Sequence, residues 1–280
     1  MKITALIENN SRRQDLAAQY GLSLLVELGD KSIIVDTGQD ESAFSNFRLL
    51  GYDEKQIDAI MISHNHFDHI GGLQSFIDAT ALQKAPVYIS GGIGAELFTK
   101  RLLRRRKLVS RNGLVADNTE RVVRVDDMTE IFQSVYVCRV KNPDPSFMCK
   151  DKKLRMTDEK GRLVCDDFLH EVYLAVIEDG FLKIVSSCSH NGVVNIVRDA
   201  QKRFGLPVAA FVGGLHMRGK KAKSLNCTRK FVRTVSEELN KLNVNAVYTC
   251  HCTGSVAFKI LGTFYKNKAR YFHTGDTFKV

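Results

Sequence analysis

The chain has 280 residues, 44% of them hydrophobic, enough to fill the core of one large domain or two small ones. Its 41 Lys and Arg against 31 Asp and Glu leave a net charge of +10, which favours anionic partners: phosphorylated metabolites, carboxylates or nucleic acid. No apolar run approaches membrane-spanning length, and the seven cysteines, odd in number and without a Cys-x-x-Cys pair, argue against both a disulfide framework and a zinc ribbon.

The opening "MKITALIENN" turns polar too early for a signal peptide, so the expected setting is a reducing, cytoplasmic one. Its "KITALIEN" reads as a strand, and "LSLLVELGDKSIIVDTG" as two strands joined by a tight Gly-Asp turn. "AIMISH" is a short β-branched run, hence a buried strand, and "APVYISGG" repeats the pattern. "KRLLRRRK" (Lys100–Lys107) has a helical look, either a solvated face or a basic patch. Then come strand-like "ERVVRVDD" and "SVYVCRV". The polar stretch "NPDPSFMCKDKKLRMTDEKGRLVCDD" reads as a long loop over a site or a disordered excursion. "HEVYLAVIEDGFLKIVSSCSH" reads as a hairpin turned by Glu-Asp-Gly. After it, helical "NIVRDAQKRFG", "CTRKFVRTVSEELNKLN" and "SVAFKILGTFYKN" alternate with strands "PVAAFVGG", "NAVYTCH" and "ARYFHTGD". Hairpins early and strand–helix alternation late predict sheets packed together and covered by helices.

The densest chemistry lies in "ISHNHFDHIGG", where His64, His66, Asp68 and His69 fall within six positions. Zn²⁺, Mn²⁺ and Fe²⁺ all accept neutral imidazole and carboxylate. Residues two apart in extended backbone point to the same side, so His64 and His66 can grip one ion. Asp68 and His69 follow as the chain turns into a helix and can reach a second. Two ions about 3.5–4 Å apart activate water and clamp an oxyanion.

The pattern H-x-H-x-D-H after a strand, followed by Gly-Gly, resembles the metallo-β-lactamase-fold hydrolases. "IIVDTG" is similar to that superfamily's first motif, with Asp36 as its acidic residue. "YGLSLLVEL", "VDTGQ", "SSCSHNGVVNIV", "GGLHM" and "CHCTG" narrow the resemblance to proteins like 7,8-dihydropterin-6-yl-methyl-4-(β-D-ribofuranosyl)-aminobenzene-5′-phosphate synthase. The resemblance runs from about residue 1 to 280 and is weakest between 95 and 165. It implies a single α/β domain, a four-layer αββα sandwich, over residues 1–280.

The resemblance also implies a ligand set. Asp36 would sit behind the metal ligands and orient them. A later His would join the first ion, an Asp would bridge both, and a last His, here His251, would complete the second. The bridging slot departs from the pattern: Cys188 occupies it, and His190 follows two residues on. A Cys188 thiolate would favour Zn²⁺ or Fe²⁺ over Mn²⁺; alternatively Cys188 is inert packing and His190 is the ligand. His170 reads as an exposed hairpin residue rather than a ligand. His216, after a buried strand and two glycines, is a candidate for substrate contact, and His273 a weaker one. Strand alternation would turn Cys250 and Cys252 away from His251 into the core. Tyr20 stands where related sequences carry His, and would hydrogen-bond substrate.

These readings converge on a metal-dependent hydrolase with two divalent ions, Zn²⁺ foremost and Mn²⁺ or Fe²⁺ as alternatives. Its nucleophile would be a metal-bound hydroxide of pKa about 7, with Asp68 as ligand and proton acceptor. The substrate would be an anionic small molecule, phosphorylated or pterin-related, steered by Lys220 and Lys221 in "HMRGKKAK". Two other readings remain at this level: a nuclease or phosphodiesterase of the same fold, given the positive charge, and a non-catalytic metal- or pterin-binding protein, given the missing bridging Asp.

Overall fold

The computed structural model describes residues 1–82, 84–93, 97–100, 105–107, 115, 117–148, 153–158, 160–221, 223–265 and 268–280. Among them are two seven-stranded sheets and one four-stranded sheet. The first sheet holds β1 (Lys2–Ile7), β2 (Ser23–Leu28), β3 (Lys31–Val35), β4 (Ala59–Met61), β5 (Val87–Ser90), β8 (Val122–Val125) and β18 (Thr277–Lys279), in the order β18-β1-β2-β3-β4-β5-β8. The second holds β9 (Met128–Phe132), β10 (Val135–Cys138), β13 (Tyr173–Glu178), β14 (Phe181–Val185), β15 (Val208–Val212), β16 (Ala246–Thr249) and β17 (Ala269–Tyr271), in the order β17-β16-β15-β14-β13-β10-β9.

Side-chain alternation fixes how these sheets stack. Leu24 and Val26 of β2, and Ile33 and Val35 of β3, share a core with Leu174 and Val176 of β13 and Val212 of β15, so this cluster lies between the sheets. The residues between them in sequence face outward. Leu25 and Ile34 pack with Phe47 of α1 (Ser42–Leu49) and Phe76 of α3 (Leu73–Ala79). On the far side, Tyr173, Ala175 and Phe211 pack with Val197 of α4 (Val193–Phe204), Val235 of α5 (Arg229–Lys241) and Leu261 of α6 (Gly254–Phe264). Strands buried on both faces read as continuous apolar runs, which is why "AIM" and "VAAFV" lack polar alternation. The result is the four-layer αββα sandwich expected from the sequence.

Two expectations are corrected. "KRLLRRRK" does not form the expected helix where it is described: β6 (Leu97–Lys100) pairs antiparallel with β7 (Arg105–Lys107), and residues 101–104 lie outside the described residues. The polar stretch after Lys141 is not merely a loop. Its β11 (Leu154–Thr157) and β12 (Leu163–Cys165) pair with each other, and β11 pairs with β6. This makes the four-stranded sheet β12-β11-β6-β7. These strands carry too little apolar periodicity to be read as such; partners remote in sequence make them strands.

Topology places the chemistry. β3 and β4 run parallel, as do β14, β15 and β16. The segments leaving their carboxyl ends therefore emerge along one edge of the sandwich: Asp36, the His64–His69 loop, Cys188–His190, His216 and His251. Crevices at such carboxyl ends are where α/β sheets bind ligands.

Candidate metal centre

His64 leaves β4 buried, with His66 as the extended residue that precedes the short helix α2 (Phe67–Ile70). His64 Nε2 lies 3.1 Å from His66 Nδ1 and 3.3 Å from His190 Nε2. Tetrahedral zinc with Zn–N of about 2.0–2.1 Å puts its nitrogen ligands roughly 3.3 Å apart, which both separations match, and the ligand atoms of all three residues lie within 4.8 Å of one another. Beside them, Asp68 Oδ2 lies 3.5 Å from both His69 Nε2 and His251 Nε2, and Cys188 Sγ lies 3.3 Å from His69 Nε2. The seven candidate ligands thus meet in two adjoining groups, His64/His66/His190 and Asp68/His69/Cys188/His251. Both Cys188 and His190 reach the site, so the alternatives left open by "SSCSH" do not compete.

The donors fit a metal in two further respects. His251 Nε2 is buried with no hydrogen-bond partner among the described residues, although it faces Asp68. Burial, with the neighbouring imidazoles, pushes His64, His66, His190 and His251 well below the ordinary histidine range, which keeps them neutral as ligands must be. At His69 burial acts in the same direction, but the Asp68 and Asp36 carboxylates overcome it and hold the group up to about 9, so this corner favours positive charge. Burial also raises Asp68 and Cys188.

Two of the candidate ligand rings, His69 and His64, are held from behind. Asp36, fully buried with φ 58°, accepts hydrogen bonds from the Ser63 N–H and Ser63 Oγ at 2.7 Å and lies 2.6 Å from His69 Nδ1. Ser63 Oγ in turn lies 2.8 Å from His64 Nδ1. Thr37 donates its N–H and hydroxyl to the His69 carbonyl at 2.7 and 3.0 Å. The Gly71–Gly72 pair lets the 36–40 segment press against this loop: a Cβ on Gly71 would lie 2.0 Å from the Gln39 carbonyl oxygen.

Several supports were not read from the sequence. Asn9 Oδ1 lies 2.8 Å from His251 Nδ1, and buried Glu8 accepts the His251 N–H at 2.8 Å. Glu171 accepts the N–H groups of His190 and Asn191 at 2.7 and 2.8 Å. The Phe168 ring stacks on His190 with centroids 4.5 Å apart. Glu8 and Asn9 look like an ordinary strand end in the sequence; only the distant pairing of β1 with the tail of the chain brings them to His251.

Two side-chain placements are corrected. His170 is not exposed: it is 3% accessible, its Nε2 lies 3.1 Å from Asp166 Oδ1, and its ring centre lies 5.7 Å from that of His66. Cys252 does not point away from His251, because β16 ends at Thr249 and His251 takes a left-handed φ of 48°, which breaks the alternation on which that expectation rested. Cys252 joins Cys188 and His251 in a buried donor group, whereas Cys250 does lie in the inter-sheet core. Tyr20 presents its ring to His251 at 4.9 Å, and the Arg218 guanidinium lies 5.5 Å over it.

His216 sets its ring 4.2 Å from that of His190. Lys220 and Lys221 are exposed on the following loop. His273 pairs with Asp276 at 3.3 Å. The six described cysteines are free thiols, and Cys149 lies outside the described residues.

Comparison with known proteins agrees with this architecture. The sequence model of the metallo-beta-lactamase superfamily matches residues 17–149. The crystal structure of a metal-dependent hydrolase of the beta-lactamase superfamily superposes with a TM-score of 0.79 at 23% identity, over 100% of this chain and 99% of that one. The chain therefore has the metallo-beta-lactamase fold, and part of it matches that superfamily's sequence model. Within that class it is similar to the 7,8-dihydropterin-6-methyl-4-(beta-D-ribofuranosyl)-aminobenzene-5′-phosphate synthase of Methanocaldococcus jannaschii, at 29% identity over 94% of this chain and 90% of the relative. An uncharacterized protein of the same organism is 25% identical over 98% of each chain.

Proposed function

We propose that this protein is a metal-dependent enzyme, a hydrolase with two divalent ions that acts on an anionic small molecule. The observation that carries the reading is the convergence of seven buried donors in two adjoining groups with ligand-like spacing. His64, His66 and His190 would hold one ion; Asp68, His69, Cys188 and His251 would hold the other. Bound there, divalent ions supply Lewis acidity, activating water and steadying developing negative charge.

The chain's own residues do the rest. Asp36, Ser63 and Asn9 hold the rings of His69, His64 and His251 so that the opposite nitrogen faces the site. Asp68 Oδ2 lies between two imidazoles and is the group placed to accept a proton. His216 beside His190, and Tyr20 with Arg218 beside His251, frame the site with groups suited to an anionic substrate. Lys220, Lys221 and the net charge of +10 add an attractive field.

The substrate class we favour is a phosphorylated, pterin-related molecule. It is supported by the name of the M. jannaschii relative, whose product combines a dihydropterin with a phosphorylated ribofuranosyl-aminobenzene. The test is turnover of phosphomonoesters, phosphodiesters, lactones, thioesters and dihydropterin phosphates by protein loaded with Zn²⁺ or Mn²⁺. Turnover in one class that His64→Ala abolishes is the expected result. No turnover in any class by protein carrying two ions would sink the enzymatic reading and leave a metal- or pterin-binding protein.

A further inference from the structure

We infer that Cys252 is an additional ligand of the second metal position, turning it into a sulfur-rich, saturated site. This rests on the two-ion reading above. The ligand atoms of Cys188, His251 and Cys252 all lie within 4.8 Å of one another, and all three residues are buried. They come from two strand ends, after β14 and after β16, so no local turn forces the meeting. Zn–S of about 2.3 Å and Zn–N of about 2.0–2.1 Å place mixed ligands of one tetrahedral ion roughly 3.5–3.8 Å apart, within the reach of this group.

The surroundings of Cys252 are built for a sulfur. The His216 N–H donates to its Sγ at 3.2 Å, a bond that stabilises sulfur carrying negative charge. Gly214 leaves the room, since a Cβ there would lie 2.4 Å from that Sγ. His251 sits next to Cys252 in sequence, yet its left-handed φ of 48° turns both side chains toward the same centre. The imidazole of His251 has its Nε2 unpartnered among the described residues, facing the same space.

The consequence is a division of labour. Three protein ligands at the histidine group leave a position open for substrate or water, the pattern of catalytic zinc. The second position has more than four donors within reach, Cys188, His251 and Cys252 with Asp68 and His69, so a tetrahedral ion there is filled without solvent, the pattern of a structural ion. Thiolates also select Zn²⁺ over Mn²⁺ at that position.

The test uses the full chain loaded with Co²⁺, with metal counting and the near-ultraviolet thiolate-to-cobalt absorption. Wild type should bind two ions, and Cys252→Ser should lose about half of that absorption and bind the second ion at least tenfold more weakly. In Cys188→Ser, a thiolate-to-cobalt band should persist, supplied by Cys252; this variant serves if Cys252→Ser fails to fold, and absence of the band in folded Cys188→Ser overturns the inference. Two ions with undiminished absorption in Cys252→Ser overturn it while leaving the two-ion reading intact. Fewer than two ions in wild type overturns both.

Discussion

At the residue scale, three of the five imidazoles in the candidate site have the far nitrogen fixed by another group: His64 by Ser63, His69 by Asp36 and His251 by Asn9. Asp36 does this for His69, and its two oxygens are also committed to Ser63, so one carboxylate aligns two ligands. Asp36→Asn should therefore weaken metal binding by about 10–100-fold. Calorimetric titration of the metal-free protein with Zn²⁺ reads this directly, and an unchanged affinity would remove Asp36 from the supporting shell. His190→Ala strips the third nitrogen from the histidine group and should lower bound metal well below wild type by elemental analysis; unchanged stoichiometry would contradict its place in the shell. These residues were legible because they sit inside compact motifs. Glu171, Glu8 and Asn9 were not, because nothing local distinguishes a buried carboxylate that holds a distant backbone N–H from a solvated one.

At the scale of elements, the histidine loop depends on a close approach that only glycine permits. Gly71→Ala would drive a methyl into the Gln39 carbonyl oxygen, and overpacking of this kind costs about 1–3 kcal/mol. A melting curve with metal analysis should show both lower stability and lower occupancy; a variant as stable and as metal-replete as wild type would refute the account of the Gly-Gly pair. Arg121 is a second structural hinge point. It is buried just before β8, and its guanidinium donates to the carbonyls of Ile77 and Ala85 and to Thr80 Oγ1, tying the end of α3 to the start of β5. Arg121→Met leaves those acceptors unpaired and should destabilise by about 2–4 kcal/mol. Denaturant unfolding checks the value, and a loss below about 0.5 kcal/mol, the range of ordinary surface changes, would mean that water replaces the guanidinium. The strands of the four-stranded sheet illustrate the opposite limit. Their sequences are polar and highly charged, and they are strands because their partners supply the hydrogen bonds.

Across the whole molecule, the candidate metal ligands come from both sheets, so ions bound there should staple the two halves of the sandwich together. A ligand present at 100 times its dissociation constant adds about 2.7 kcal/mol of stability. Removing metal with a chelator should therefore lower the melting temperature by several degrees, and restoring Zn²⁺ should recover it. A melting temperature indifferent to metal, with binding verified separately, would mean that the donors converge without coupling the sheets. The charge of +10 belongs to this scale too, acting on any anionic substrate from a distance rather than through one contact.

The sequence by itself determined the class of fold and the front half of the site. Strand periodicity, the Gly-Asp turn and the strand–helix alternation are local, and H-x-H-x-D-H confines four donors to a single turn. Tertiary structure decided the rest. Only the parallel pairing of β14, β15 and β16 carries Cys188, His190 and His251 to that turn, across more than a hundred residues of chain. Only the left-handed backbone at His251 swings Cys252 inward, against the strand alternation that assigned it to the core. The burial of His170 likewise goes with a remote contact, the Asn65 N–H donating to its Nδ1 at 3.3 Å. The strand pairing that assembles the site joins residues distant in sequence, and a periodic pattern carries no information about such pairs.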